Sequence, residues 1–247
     1  MRDRRSRTAR DSRAFTPIQV SAVTGWLRNT TVGLVSSVTD LLNGANPATA
    51  SGTARPTGNA DGSMTFANPN NLGWPVAANN SATVRFGIFE WIKPTSFAGF
   101  PLIVSLRPGG GDQFSLSFNT DGTFSISVWS AAGVRRQADT SRVFVAGTKY
   151  PMSFEYDGGQ TAEADKCYLN MGSGKEPLTF SADTAMPAVA RTPTGTIFIG
   201  AFAAAGGQPY AGDMGRNLFA LQGPGGISGG GLLTTAERAN IAAFEPL

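Results

Sequence analysis

Glu155 and Asp157, two residues apart in YPMSFEYDGG, are this chain's nearest approach to a catalytic acid pair. On an extended strand, residues i and i+2 point to the same face, so the two carboxylates would converge. Retaining glycoside hydrolysis needs two carboxyl groups about 5–5.5 Å apart. The plainer reading is a strand running out into the Asp157-Gly158-Gly159 turn; it is preferred here, and no catalytic residue is assigned. The chain contains no histidine. That removes Ser-His-Asp and Cys-His catalysis, histidine-ligated zinc and a neutral-pH histidine switch. The single cysteine, Cys167, sits in an alternating apolar segment and reads as a buried, inert thiol.

Ligand-binding chemistry is sparse but present. Asp112, Asp121, Asp157, Asp165 and Asp213 fall in expected loops, yet their spacing does not match a calcium loop, and Asp is a common turn former. No metal is expected. The glycine-rich stretches RPGGGD and GPGGISGGG lack the GK[ST] ending of a phosphate loop, and no cofactor is expected either. A glycan site would combine an exposed aromatic platform with polar groups that fix orientation. Trp129, ending FSISVW beside Arg135 and Arg136, and Tyr210 in GGQPYAGD fit that description. The candidate glycan-binding residues are therefore Trp129, Arg135 and Tyr210.

Charge is unevenly distributed. Residues 1–13 hold Arg2, Arg4, Arg5, Arg7, Arg10 and Arg13 against Asp3 and Asp11, a net of +4. The remaining 234 residues carry 14 basic and 15 acidic side chains, a net of −1. A nucleic-acid-binding domain would carry its basic patch on the folded body; here the basic charge sits on the arm, so nucleic acid is not the expected partner. With almost no apolar side chains the arm cannot form a core, and docking into an assembly through arginine contacts is its expected role. The sequence has no apolar window long enough for a membrane span and no signal-peptide pattern.

The elements that must position these residues follow from composition and period. Charged residues make up only 15% of the chain, below the roughly 25% of average soluble domains. Abundant glycine and proline suit many short strands joined by tight turns. Val84, Phe86, Ile88 and Ile92 alternate with Arg85, Gly87, Phe89 and Trp91; bulk on both faces predicts a central strand. FPLIVSL (100–106) reads as a buried strand. QFSLSF and FSISVW turn Phe114, Leu116, Phe118 and Phe124, Ile126, Val128 inward, and NTDG (119–122) between them predicts a hairpin. YPMSFEYDGG, DKCYLNMGSG, TIFIGAF and RNLFALQG supply four more strand candidates. GPGGISGGG (223–231) reads as a surface loop. LTTAERANIAAFE (233–245) reads as one short helix capped by Thr234 or Thr235. The expected fold class is all-β: an antiparallel β-sandwich with one short C-terminal helix and an extended N-terminal arm.

The order FGIFEWIKPTSF, SLRPGG, FSLSFNTDGTFSISVW, KYPMSFEYDGG, DKCYLNMGSG, TIFIGAF and GRNLFALQGPGG resembles the laminin-G-like, concanavalin A-like jelly-roll superfamily over roughly residues 62–247. Tyr168, Asn170 and Gly172 stand where that superfamily carries a Tyr-x-Asn-Gly-like strand and turn. FTPIQVSAVTGWLRN looks like the opening of laminin-G-like proteins of tailed-phage virions, with Trp26 at their tryptophan and Leu27-Arg28 replacing the Asp that often follows. The resemblance implies an arm over residues 1–14 and a sandwich domain over 15–247, residues 15–61 forming an irregular lead-in. Related β-jelly-roll hydrolases carry an E-x-D-x-x-E strand that this chain lacks. The resemblance implies a non-enzymatic structural virion protein: a head decoration, fibre or tail-associated subunit. Such a protein would be made in the host cytoplasm and assembled into the particle beside other virion subunits and copies of itself. Attachment to a host-surface glycan is a further implied role. The alternatives are a stand-alone carbohydrate-binding module or adhesin and, remotely, a glycoside hydrolase.

Overall fold

A computed structural model describes residues 22–42, 44–51, 53, 55–75, 84–107, 113–181, 185–190, 196–201, 208–223 and 225–244. The arginine arm and Asp112 lie outside the described residues. Seventeen strands, β1 to β17, and two helices follow in chain order among them. They form two antiparallel sheets.

The front sheet runs β14 (Cys167–Asn170), β13 (Tyr150–Asp157), β8 (Arg85–Pro94) and β17 (Gly212–Leu221). The second half of β17 pairs with β1 (Val23–Arg28). Its first half pairs with β6 (Met64–Phe66), which leads on to β5 (Thr57–Gly58) and β2 (Gly33–Leu34). The back sheet runs β15 (Leu178–Phe180), β12 (Arg135–Thr140), β11 (Phe124–Trp129), β10 (Phe114–Phe118) and β9 (Leu102–Arg107). It continues through β16 (Thr196–Ile199), β7 (Leu72–Pro75), β4 (Ala48–Ala50) and β3 (Ser37–Asp40). β3 also pairs with β1, so it joins the two sheets. The all-β sandwich expected from the sequence is therefore present, closed by the expected C-terminal helix.

Two-residue alternation builds the core. Phe86, Ile88, Met152, Phe154 and Tyr156 of the front sheet meet Phe114, Leu116, Phe124, Ile126 and Val128 of the back sheet, all fully buried. Phe86 stacks on Phe114 at 5.2 Å between ring centres and on Tyr156 at 4.9 Å. Each such side chain contributes roughly 1.5–3 kcal/mol on burial. β8 is central, with β13 and β17 as neighbours. Its second face carries Phe89, which packs with Trp26, Phe219, Leu232, Leu233 and Ile241 beneath helix α2 (Thr235–Phe244). The remaining helix, α1 (Glu163–Lys166), is a single turn before β14.

Three sequence expectations change in detail. Residues 23–58, expected as short strands and loops in an irregular lead-in that wraps the core, supply β1 to β5, members of both sheets. The β10–β11 hairpin pairs Asn119 with Thr123, leaving a three-residue connection with Gly122 at φ 85°. This is the longer hairpin form, with glycine in the left-handed position. The stretch 223–231 is only partly a surface loop, because Gly230 is buried against Asp165 of α1 and Gly231 against Glu155 and Tyr168 of the front sheet. Thr234 is the helix cap: its Oγ1 accepts from the Glu237 amide at 3.2 Å, while the Glu237 carboxylate accepts from the Thr234 amide at 2.7 Å.

Candidate functional site

The outer face of the back sheet is hydroxyl-lined because the alternation that buries Phe and Ile turns serines the other way. Register aligns Ser105 with Ser115, Ser115 with Ser127 and Ser117 with Ser125 across β9, β10 and β11. Here the surface sinks into a groove of about 450 Å³, lined by Phe100, Leu102, Ser115, Ser117, Asn119, Ser125, Trp129, Arg135, Gln137 and Gln208. That volume lies within the roughly 300–1,000 Å³ of small-ligand sites.

Trp129 and Arg135 are cross-strand partners at one end of this groove. The Arg135 guanidinium lies 5.8 Å from the Trp129 ring centre. Its Nε and Nη2 donate to Ser127 Oγ at 3.0 and 2.8 Å, which pins the side chain along the sheet. At the other end, Asn119 Nδ2 donates to Thr123 Oγ1 at 2.9 Å and to the Asp139 carboxylate at 3.3 Å. Gln137 Nε2 donates to both oxygens of Asp139, at 3.0 and 2.9 Å.

The rim opposite Trp129 is strained. Phe100 and Gln208, the two non-glycine residues with positive φ among the described residues (56° and 50°), both line this groove. Pro101 follows Phe100 and disfavours right-handed α there. The Leu102 amide donates to the Gln208 carbonyl at 3.1 Å, tying the two together. A bulky residue in this region costs on the order of 1–3 kcal/mol, and such strain clusters at ligand clamps.

Tyr210 departs from the expectation. It is fully buried beneath Phe66, 6.4 Å away between ring centres, and offers no face to a ligand. Its hydroxyl accepts from the Lys93 amide and donates to the Asp213 carbonyl, each at 3.1 Å. The sequence flagged Trp129 and Arg135, which the fold brings together, and missed Ser115, Ser117, Ser125, Asn119, Gln137, Phe100 and Gln208. Small uncharged residues at the outward positions of FSLSF and FSISVW were the available signal, since an ordinary solvent face carries charge.

Glu155 and Asp157 do share a face, but structural partners occupy all four of their carboxylate oxygens. Glu155 Oε1 accepts from Ser153 Oγ at 2.7 Å and Arg238 Nε at 2.6 Å. Its Oε2 accepts from Arg238 Nη2 at 2.8 Å, from the Leu233 amide at 2.9 Å and from the Leu232 amide. The Arg238 guanidinium is stacked 3.6 Å from the Tyr168 ring centre. Asp157 Oδ1 accepts from Arg85 at 2.9 Å and from Gly159 at 3.1 Å. Its Oδ2 accepts from Gly226 at 2.7 Å and Gln160 at 3.1 Å. The pair fastens α2 and the loop before it to the front sheet.

Asp121 accepts from Thr123, Asp165 pairs with Lys175, and Asp213 accepts from Thr65 and pairs with Lys93. No cluster of three or more His, Cys, Asp or Glu side chains able to hold a metal occurs among the described residues. Burial pushes the Cys167 thiol up to about 12, with Glu163 adding to the shift, so it stays protonated near neutrality. Among the described residues no helix is long and apolar enough to cross a membrane.

Neither a protein-family model nor a curated protein sequence matches the chain. Solved structures do. Trypanosoma rangeli sialidase in complex with sialic acid matches with a TM-score of 0.58 at 14% identity, over 90% of this chain and 32% of that one. The botulinum neurotoxin serotype D binding domain matches with a TM-score of 0.60 at 10% identity, over 90% of this chain and 50% of that one. The binding domain of Paraclostridial Mosquitocidal Protein 1 gives 0.59 at 12%, over 91% and 52%. The chain spans about a third of the sialidase and about half of each toxin domain. At such identities the likeness carries the fold alone: an all-β sandwich.

Proposed function

We propose that this chain is a non-enzymatic glycan-binding sandwich whose ligand lies along the back-sheet groove between Trp129 and Phe100. The single observation that carries this reading is the composition of the groove: a serine, asparagine and glutamine floor between two aromatic side chains, with no carboxylate lining it. Sugar hydroxyls match such donors and acceptors, and the apolar face of a sugar ring matches an indole. The likeness to a sialidase solved with sialic acid and to toxin binding domains is consistent with this reading.

The groove belongs, on this proposal, to a structural virion subunit: a head decoration, fibre or tail-associated protein that displays the sandwich toward a host surface. The arginine-rich residues 1–14 would anchor it to neighbouring subunits through charge-assisted contacts. The test is a glycan array probed with the wild-type protein and Trp129→Ala. Binding to a defined glycan set, weakened about tenfold or more by the substitution, is expected. An array without signal, or one indifferent to Trp129→Ala, would contradict the reading. Anchoring is tested separately, by association of the chain with its particle before and after removal of residues 1–14; equal association would exclude the arm as the anchor.

A further inference from the structure

Five cations among the described residues, Arg85, Lys93, Arg142, Lys175 and Arg238, sit against carboxylates at 2.6–3.6 Å. Arg135 does not. Its contacts are a neutral hydroxyl, Ser127 Oγ, and the Trp129 ring. The Ser127 contacts occupy the Nε side of the guanidinium. The Nη1 edge stays available, and this side chain is exposed at the groove's mouth. Among the described residues, Asp139 on β12 lies four residues further along the strand, roughly 13 Å away at strand rise, and is held there by Gln137 and Asn119. The groove therefore has a cationic end and an uncharged serine floor, with Asp139 outside its lining, beyond the Asn119 end.

We propose that the groove takes a glycan ending in a carboxylate-bearing sugar, the carboxylate on Arg135, its ring on Trp129 and the uncharged remainder along Ser115, Ser117 and Ser125 toward Phe100. This rests on the glycan-binding reading and adds to it the ligand's charge and direction. A planar carboxylate matches two parallel guanidinium N–H groups, which is the strong form of the arginine contact. Asp139 disfavours the reversed orientation, since it would set two anions near each other at the groove's far end. Stacking under the indole also keeps the Arg135 plane oriented before ligand arrives, which reduces the ordering cost of binding.

The experiment is calorimetric titration of the folded protein with three forms of one oligosaccharide: terminated by a carboxylate-bearing sugar, as its methyl ester, and with a sulfate ester in place of the carboxylate. The carboxylate form should bind about tenfold or more tighter than the methyl ester, and Arg135→Gln should remove that difference. Equal affinity for acid and ester would overturn the proposal yet leave glycan binding standing. Sulfate binding as tightly as carboxylate would overturn the carboxylate assignment, because the site would then read charge rather than the planar fork. Binding of none of the three, with the protein folded, would sink the glycan reading itself. The ester comparison needs no substitution, so it stands even if Arg135→Gln perturbs β12.

Discussion

At the scale of single residues, the two aromatics that looked alike in sequence have opposite roles. Trp129 sits at an outward strand position and lines the groove, while Tyr210 is buried and bridges the Lys93 amide to the Asp213 carbonyl. Tyr210→Phe should lower stability by about 1–3 kcal/mol, from the two lost buried hydroxyl hydrogen bonds, in denaturant unfolding. Glycan affinity should stay unchanged; a loss of affinity would place Tyr210 in the site after all.

Asp157 is a second residue-scale case. Burial raises its pKa, but hydrogen bonds from Gly226, Arg85, Gly159 and Gln160 outweigh burial and hold it below the ordinary carboxylate value. A depressed folded-state pKa means the contribution is fully present above the unfolded value of about 3.9 and is lost as pH falls through the folded value. Wild-type stability should therefore drop below about pH 4. Asp157→Asn should be less stable near neutrality and show a shallower acid limb; an unchanged acid limb would contradict the assignment.

At the scale of elements, alternation made most of the strands legible. Bulk on both faces of residues 84–92 correctly implied a central strand, because a strand covered on each side by packing has no polar face to show. The sequence offered Thr234 or Thr235 as the helix cap, and the reciprocal contacts of Thr234 with Glu237 decide for Thr234. What alternation could not show was the use made of GPGGISGGG, since glycine marks backbone freedom without saying which neighbour requires it. Gly231 has φ 91°, and a Cβ there would collide with the Arg238 guanidinium and the Glu155 carboxylate. Gly226 has φ 73° with nothing within 4 Å. Gly231→Ala should thus cost appreciably more than Gly226→Ala, whose penalty is only the left-handed backbone, about 1 kcal/mol. Thermal unfolding of the two variants decides it; equal losses would mean that the loop does not bear on the ion pair. The groove's rim was equally hidden, because positive φ at Phe100 and Gln208 is set by chain path rather than by residue type.

At the scale of the whole molecule, the chain's ends determine closure. β17 lies between β8 and β1, and the Gln222 amide donates to the Ala22 carbonyl at 2.6 Å. A chain truncated after Ala211 would leave β8 and β1 with open edges and the Phe89 face uncovered. It should show no cooperative melt and should aggregate; a sharp thermal transition would contradict this. The resemblance covered residues 62–247 and the expected sandwich domain 15–247, but the pairing of β1 with β17 reaches across nearly the full chain, which local pattern does not encode.

The most direct measurement is a crystal structure of the protein with the tightest-binding array glycan. Sugar density along the serine floor between Trp129 and Phe100, with a carboxylate against Arg135, is the predicted result. Density elsewhere, for instance in the 270 Å³ pocket beside Tyr168, Asn170 and Arg238 under α2, with the serine groove empty, would contradict it.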